Sequence, residues 1–254
     1  MIYISHLLPD EEMQELIEET GAGVESIEFS ISDNLDQLSE HIHTYRKRLK
    51  QMEAEHLIIH GPFLDLAPYS FDSEILKTTE KRYEQAYQAA VELGAEKIVY
   101  HTCYYPGVYF PDIWAERTIE FYQKFLEKHC ETEIVLENVM DTDWKPMKRV
   151  ADAISAPQFG LCLDIGHAHC SGEELVTEWV RNLNPYCSHL HVHDNHKKRD
   201  EHLALGQGTM PLQQLFMLLS QTPADTCTIE CMDKEQVRQC WQVLRESGWD
   251  AAKY

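Results

Sequence analysis

The sequence predicts a single α/β domain, a closed (β/α)8 barrel spanning residues 1–254. Three observations carry that expectation. The length of 254 residues matches the ~250 that a full barrel takes. Short apolar, β-prone runs alternate with polar-faced helical stretches, and that order implies a parallel sheet. The count of such runs is eight, which favours closure over an open doubly wound sheet. No glycine-rich phosphate loop follows the first run, which weakens the open alternative further.

Taken in order, the strands are expected at Ile2–Ser5, Ser26–Ser30, Leu57–His60, Lys97–His101, Glu133–Asn138, Gly160–Asp164, His189–His193 and Thr226–Cys231. Helices are expected at Asp72–Leu93, Pro111–Lys128 and Lys234–Arg245, among others. Asp72 is placed to cap the first of these, with Glu74 in its first turn and Gly94 as its stop.

Composition narrows the function. The chain carries 22 Lys plus Arg against 43 Asp plus Glu, a formal net charge of −21. Such a surface repels phosphate backbones unless it concentrates its cations, so nucleic acid is a disfavoured partner. Basic residues cluster only at Arg46, Lys47, Arg48 and Lys50, expected on the solvated face of a helix, and at Lys197, Lys198 and Arg199. No apolar run approaches the ~20 residues that cross a bilayer, and the start of the chain lacks a signal-peptide pattern, so a cytoplasmic protein without membrane partners is expected. The eight cysteines form no C-x-x-C pair and are expected reduced and mostly buried. Oligomeric state is not legible.

The chemistry concentrates at strand ends. Side chains alternate across a strand, so one set faces the helices and the other the barrel interior. In Glu133–Glu137, Ile134 and Leu136 take the outer face, leaving Val135 and Glu137 inside. The same alternation turns His60, His101, Asp164 and Glu230 inward, together with His189, His191 and His193. Six strands thus end in an inward His, Asp or Glu at the carboxyl end, where barrels of this kind hold their active sites. One inward His is usually structural. Six acid and imidazole groups on one rim are costly to bury unless cations neutralise them. Mixed His and carboxylate donors suit zinc, manganese or iron. Two segments sharpen the expectation: Asp164-Ile-Gly-His167, whose spacing lets one turn supply two ligands, and the loop from His191 to Gly208, whose glycines permit close folding over a ligand.

With His60-Gly-Pro62, Leu136-Glu-Asn138, Asp164-x-x-His167 and Asp200-x-His202-x-x-Leu-Gly-x-Gly208 in this order, the chain resembles the xylose isomerase-like barrel superfamily, in its endonuclease IV and sugar-phosphate isomerase/epimerase branch. In the endonuclease IV pattern the resemblance implies a three-zinc cluster held by His60, His101 and Glu137, then Asp164, His167 and His191, then Asp200, His202 and Glu230. The epimerase pattern implies one manganese or similar ion on Glu137, Asp164, His191 and Glu230, with both glutamates moving protons and His167 a ligand or substrate contact. One to three divalent ions, zinc or manganese, are expected. The leading expectation is a metal-dependent isomerase or epimerase of a small sugar, sugar phosphate or polyol, with Glu137, Glu230 and His167 catalytic. The alternative is a multinuclear phosphodiesterase or phosphatase, an abasic-site endonuclease in its sharpest form; a barrel that binds without turnover is a third reading. The loop Ser30–Gln37 lacks an arginine suited to DNA, and Phe63 and Leu64 either match the position where endonuclease IV wedges an aromatic and a leucine into DNA or simply pack under the mouth. Glu28 is expected either to orient a ligand or to be plainly structural, His169, His193 and Asp194 to orient ligands, Lys197, Lys198 and Arg199 to remain solvated or grip a phosphate, and Tyr104, Tyr105, Tyr109 and Phe110 to wall a sugar-sized pocket or pack on one another.

Overall fold

The computed structural model describes residues 1–249. Eight strands, β1 (Ile2–Ser5), β2 (Gly23–Ser26), β3 (Leu57–His60), β4 (Lys97–His101), β5 (Glu133–Glu137), β6 (Phe159–Asp164), β7 (Cys187–Val192) and β8 (Thr226–Ile229), close into one barrel in chain order. Every pairing is parallel, and β8 returns to β1 with Tyr3 opposite Thr228. The helices are α1 (Asp10–Thr20), α2 (Ser32–Asp36), α3 (Leu38–Gln51), α4 (Ser73–Leu93), α5 (Pro111–Leu126), α6 (Lys145–Ala153), α7 (Ile165–Ser171), α8 (Val176–Leu183), α9 (Leu212–Leu219) and α10 (Lys234–Glu246). No helix among the described residues is long and apolar enough to cross a membrane.

Local chemistry accounts for the boundaries. The Asp72 carboxylate accepts the backbone N–H groups of Glu74 (2.8 Å) and Ile75 (3.3 Å), and Gly94 ends α4 at φ 75°, a left-handed conformation that costs glycine little. Strand alternation sorts the core into two layers. Ile59, Tyr100, Ile134, Leu136, Leu161, Leu163, Leu190, Val192 and Ile229 pack outward against the helices. Tyr3, Ile58, Val99, Val135 and Cys162 fill the barrel interior beneath the site.

One strand lies elsewhere than expected. β2 runs over Gly23–Ser26, and the chain then turns into a 3-10 helix at Glu28–Ser30. The apolar Ile27 and Phe29 mimic strand alternation, but the Phe29 ring packs in the helix layer, 5.8 Å from that of Tyr45. The true start is set by Gly23, since a Cβ there would meet the Tyr3 ring at 2.5 Å. Elsewhere the differences are at strand ends: β7 begins at Cys187, and Glu230 lies just beyond β8. Six of the eight cysteines are buried, Cys130 and Cys170 are not, and none is in a disulfide. On α3, Arg48 is ion-paired with Asp10 (2.7 Å) and Glu28 (2.9 Å) instead of being free in solvent.

Candidate metal centre

Each rim residue is delivered by a strand end or the turn after it. His60 closes β3, His101 β4, Glu137 β5 and Asp164 β6, while His191 lies one residue before the end of β7. Asn138, next after Glu137, ties two strands together: its side chain donates to the Asp164 carbonyl (2.9 Å) and accepts the Asp164 N–H (3.0 Å). Asp164 then caps α7 by accepting the His167 N–H at 2.6 Å, which draws His167 back toward the mouth. The structure therefore brings all nine residues His60, His101, Glu137, Asp164, His167, His191, Asp200, His202 and Glu230 to one place, as overlapping groups of ligand atoms within 4.8 Å of one another.

The histidine tautomers are set by their outer bonds. His60 Nδ1 lies 3.0 Å from the Gly61 carbonyl, His167 Nδ1 3.0 Å from that of Asn138, and His202 Nδ1 2.8 Å from that of Glu230. A carbonyl only accepts, so each Nδ1 is a donor, and Nε2 is the atom left facing the cavity, free to hold an ion once it gives up any second proton. His191 is held the other way round. Its Nε2 contacts the Glu25 carboxylate at 3.1 Å, and its Nδ1 faces Glu137 and Glu230, each at 3.2 Å.

Those inward atoms fit divalent ions better than they fit each other. Glu137 Oε2 lies 3.3 Å from both His60 Nε2 and His101 Nε2, and these nitrogens are 3.1 Å apart. Nevertheless Glu137 Oε2 and His191 Nδ1 are buried atoms without a hydrogen-bond partner. A tetrahedron with bonds of ~2.0–2.1 Å has edges of about 3.3–3.4 Å, so the spacing suits donors around one ion.

Charge is balanced tightly. Burial pushes the Glu137 carboxyl up, yet the His191 and His101 imidazoles hold it well below the usual carboxylate range. Burial raises Glu230, His191 opposes the rise, and the Glu137 and Asp164 carboxylates add to it. Burial works against ionised His202, but the Asp200 and Glu230 carboxylates lift its imidazole to about 9.

Glu25 was not among the expected site residues. It sits on β2 inside the barrel, fully buried, with its carboxylate 3.2 Å from His189 Nε2, at 3.1 Å from His191 Nε2, and bonded by the Thr228 hydroxyl. A carboxylate behind a histidine orients the ring and raises its basicity as a ligand. The signal was present in the sequence: Gly23-Val-Glu25-Ser turns Val24 outward and Glu25 inward once the strand is started at the glycine. Glu28, expected in this role, instead accepts from Arg48 (2.9 Å) and contacts His41 (2.7 Å) outside the site.

Other expectations resolve similarly. His169 contacts the Thr209 hydroxyl at 3.1 Å. The glycines of the long loop fold around Asp194, which accepts from the N–H groups of Gly206 (3.0 Å), Gly208 (3.1 Å) and Met210 (3.2 Å). Lys197, Lys198 and Arg199 are exposed. Tyr104 and Tyr109 line a separate hollow with Thr142 and Glu173. Phe63 stacks on His101 with ring centres 4.3 Å apart, while Leu64 is exposed to solvent.

The chain matches the model of the xylose isomerase-like TIM barrel family over residues 16–247. It belongs to that family. An uncharacterized protein of Methanocaldococcus jannaschii is 26% identical over 219 residues, covering 80% of this chain and 73% of that protein. A probable endonuclease 4 of Mycobacterium leprae is 26% identical over 170 residues, 62% of this chain and 66% of that one. A solved D-tagatose 3-epimerase-like protein superposes with a TM-score of 0.79 at 22% identity, over 97% of this chain and 96% of its own. At that identity the superposition establishes the shared barrel.

Proposed function

We propose that this xylose isomerase-like barrel is a metal-dependent phosphoester hydrolase for a small substrate, with the nine rim residues as its ligands. One observation carries the reading. Glu137 belongs to the group with His60 and His101 and lies 3.2 Å from His191 Nδ1, while His167, whose Nδ1 faces Glu137 and Asp164, turns its Nε2 to Asp200 (3.2 Å) in the group with His202. The groups form a connected array. A one-ion isomerase would use Glu137, Asp164, His191 and Glu230 and leave His60, His101, Asp200 and His202 without a task, although burying such groups is costly. The likeness to a probable endonuclease 4 supports the same direction.

Ions bound there would supply Lewis acidity and clamp opposite oxygens of a phosphoryl group during displacement. The chain's own part is preorganisation: three Nδ1–H groups tied to backbone carbonyls, and Glu25 behind His191, aim the donors before any ion arrives. Substrate size follows from the cavity. An open hollow of about 280 Å³ lies over His60, Glu137 and Asp200, and Phe63 lines both it and a second hollow of about 380 Å³. Arg48 and Arg82 are already ion-paired, and the net charge of −21 opposes a nucleic acid duplex. A small phosphoester such as a sugar phosphate fits these limits.

Epimerisation of a ketose is the second reading. It is favoured by Glu137 Oε1 and Glu230 Oε1, each 3.2 Å from His191 Nδ1, since two carboxylates around one ion could move a proton between faces of a carbon. Metal analysis of protein purified without added metal or chelator, paired with panels of small phosphoesters, ketoses and abasic DNA, separates the readings. Two or three ions with phosphoester turnover are expected. A single ion with ketose epimerisation overturns the proposal.

A further inference from the structure

A tenth donor points into the array. His193, just past the end of β7, is fully buried, and its Nε2 lies 3.2 Å from Asp164 Oδ2. An ionised carboxylate only accepts, so Nε2 carries the proton and Nδ1 keeps its lone pair. That Nδ1 has no hydrogen-bond partner. It is 3.6 Å from Asp200 Oδ1, and His193 forms one group with His167, Asp200 and His202 whose donor atoms all fall within 4.8 Å. The ring is held rigidly. It stacks on His202 at 4.1 Å with an interplanar angle of 13°, and Gly166 keeps its space open, since a Cβ there would fall 2.0 Å from the ring.

We propose that His193 Nδ1 is a direct metal ligand, so that His167, His193, Asp200 and His202 make a four-donor position for zinc or a similar cation. The proposal rests on the multinuclear reading and assigns the ions different tasks. Four protein donors complete a tetrahedron, as in structural zinc sites, whereas catalytic positions keep one place open. The ion nearest solvent is then closed to substrate and anchors the loop carrying Asp200 and His202. Substrate then reaches the ion of the three-donor His60, His101, Glu137 group, which keeps a place open. The imidazole-rich donor set of the closed position favours zinc over manganese or magnesium.

Zinc titration of metal-stripped protein against a chromophoric chelator tests this. In His193→Asn, one position is expected to weaken by at least about tenfold while the others hold. In an Asp200→Ala background, which already disables that position, adding His193→Asn should change nothing further. Unchanged affinity at every position in His193→Asn overturns the proposal, as does a loss that adds fully in the Asp200→Ala background, which would assign His193 to positioning Asp164. Cobalt-loaded wild type offers a readout independent of the variants' folding: at least one position should give the intense visible absorption of four-coordinate cobalt, and its absence counts against the closed site. Wild type that saturates at one ion removes the multinuclear reading itself. Wild type with its full complement and an indifferent His193 removes only this proposal.

Discussion

Replacing Glu25 by Gln isolates the effect of a single buried charge on the site. The substitution preserves shape, and the surroundings can accept it. Burial favours neutral His189, and its Nδ1 faces the Thr226 hydroxyl at 2.8 Å. A tautomer switch thus frees His189 Nε2 to accept from the Thr228 hydroxyl (3.1 Å), which can in turn accept from the new amide at the Oε2 position, while the amide oxygen at the Oε1 position lies 3.1 Å from His191 Nε2. The ring of His191 therefore stays in place, and what disappears is the negative charge that strengthens its Nδ1 as a donor. Loss of such a partner typically costs ten- to a hundredfold in metal affinity, or about 1.4–2.8 kcal/mol. Competition titration with zinc at neutral pH reads this directly, with circular dichroism of the metal-free form as control for folding. Affinity within about twofold of wild type, in a protein that remains folded, would refute the claim that Glu25 tunes His191.

Two further perturbations follow from groups nearby. Asp141 is buried, accepts from the Thr102 hydroxyl (2.6 Å) and the Val139 N–H (3.0 Å), and has one carboxylate oxygen without a partner. Burial, outweighing those bonds, pushes its carboxyl up to about 6. The folded state thus binds this proton more tightly than the unfolded chain, whose value is ~3.9, so stability present below pH ~4 is lost as pH rises through 6, up to about 3 kcal/mol. Denaturant unfolding of metal-free protein should show Asp141→Asn gaining on wild type by that amount between pH 4 and 7.5, and a difference independent of pH would sink the idea. Gly166→Ala should destabilise by ~1–3 kcal/mol in thermal melts and weaken zinc binding, because the new methyl displaces the His193 ring; a variant with wild-type melting and zinc affinity contradicts that account.

Much of this site was readable because barrels convert alternation into direction. Ile134 and Leu136 outward require Glu137 inward, and the same holds for Leu161 and Leu163 with Asp164, so ligand positions follow from apolar neighbours. Glu25 escaped because Ile27 and Phe29 copy that alternation while packing in the helix layer, which shifted β2 and reversed the roles of Glu25 and Glu28. The tautomers were not legible at all. They depend on contacts such as His202 Nδ1 with the Glu230 carbonyl, 28 residues apart, which meet only when the loop after β7 folds against the end of β8. The function of Asp194 was hidden likewise: loop glycines suggested a ligand, and the ligand is a carboxylate of the same chain.

The ligand-bearing strands run from β3 round to β8, so a cation shared among them would join segments distant in the chain, including His60, His191 and Glu230. Contacts of that span carry a high loop-closure cost and form late in folding. Ions seated there would act as late-setting staples, slowing the opening of the barrel while leaving its assembly rate nearly untouched. A cell in which those ions ran short would then meet this protein as a chain that folds at its normal speed and fails to persist.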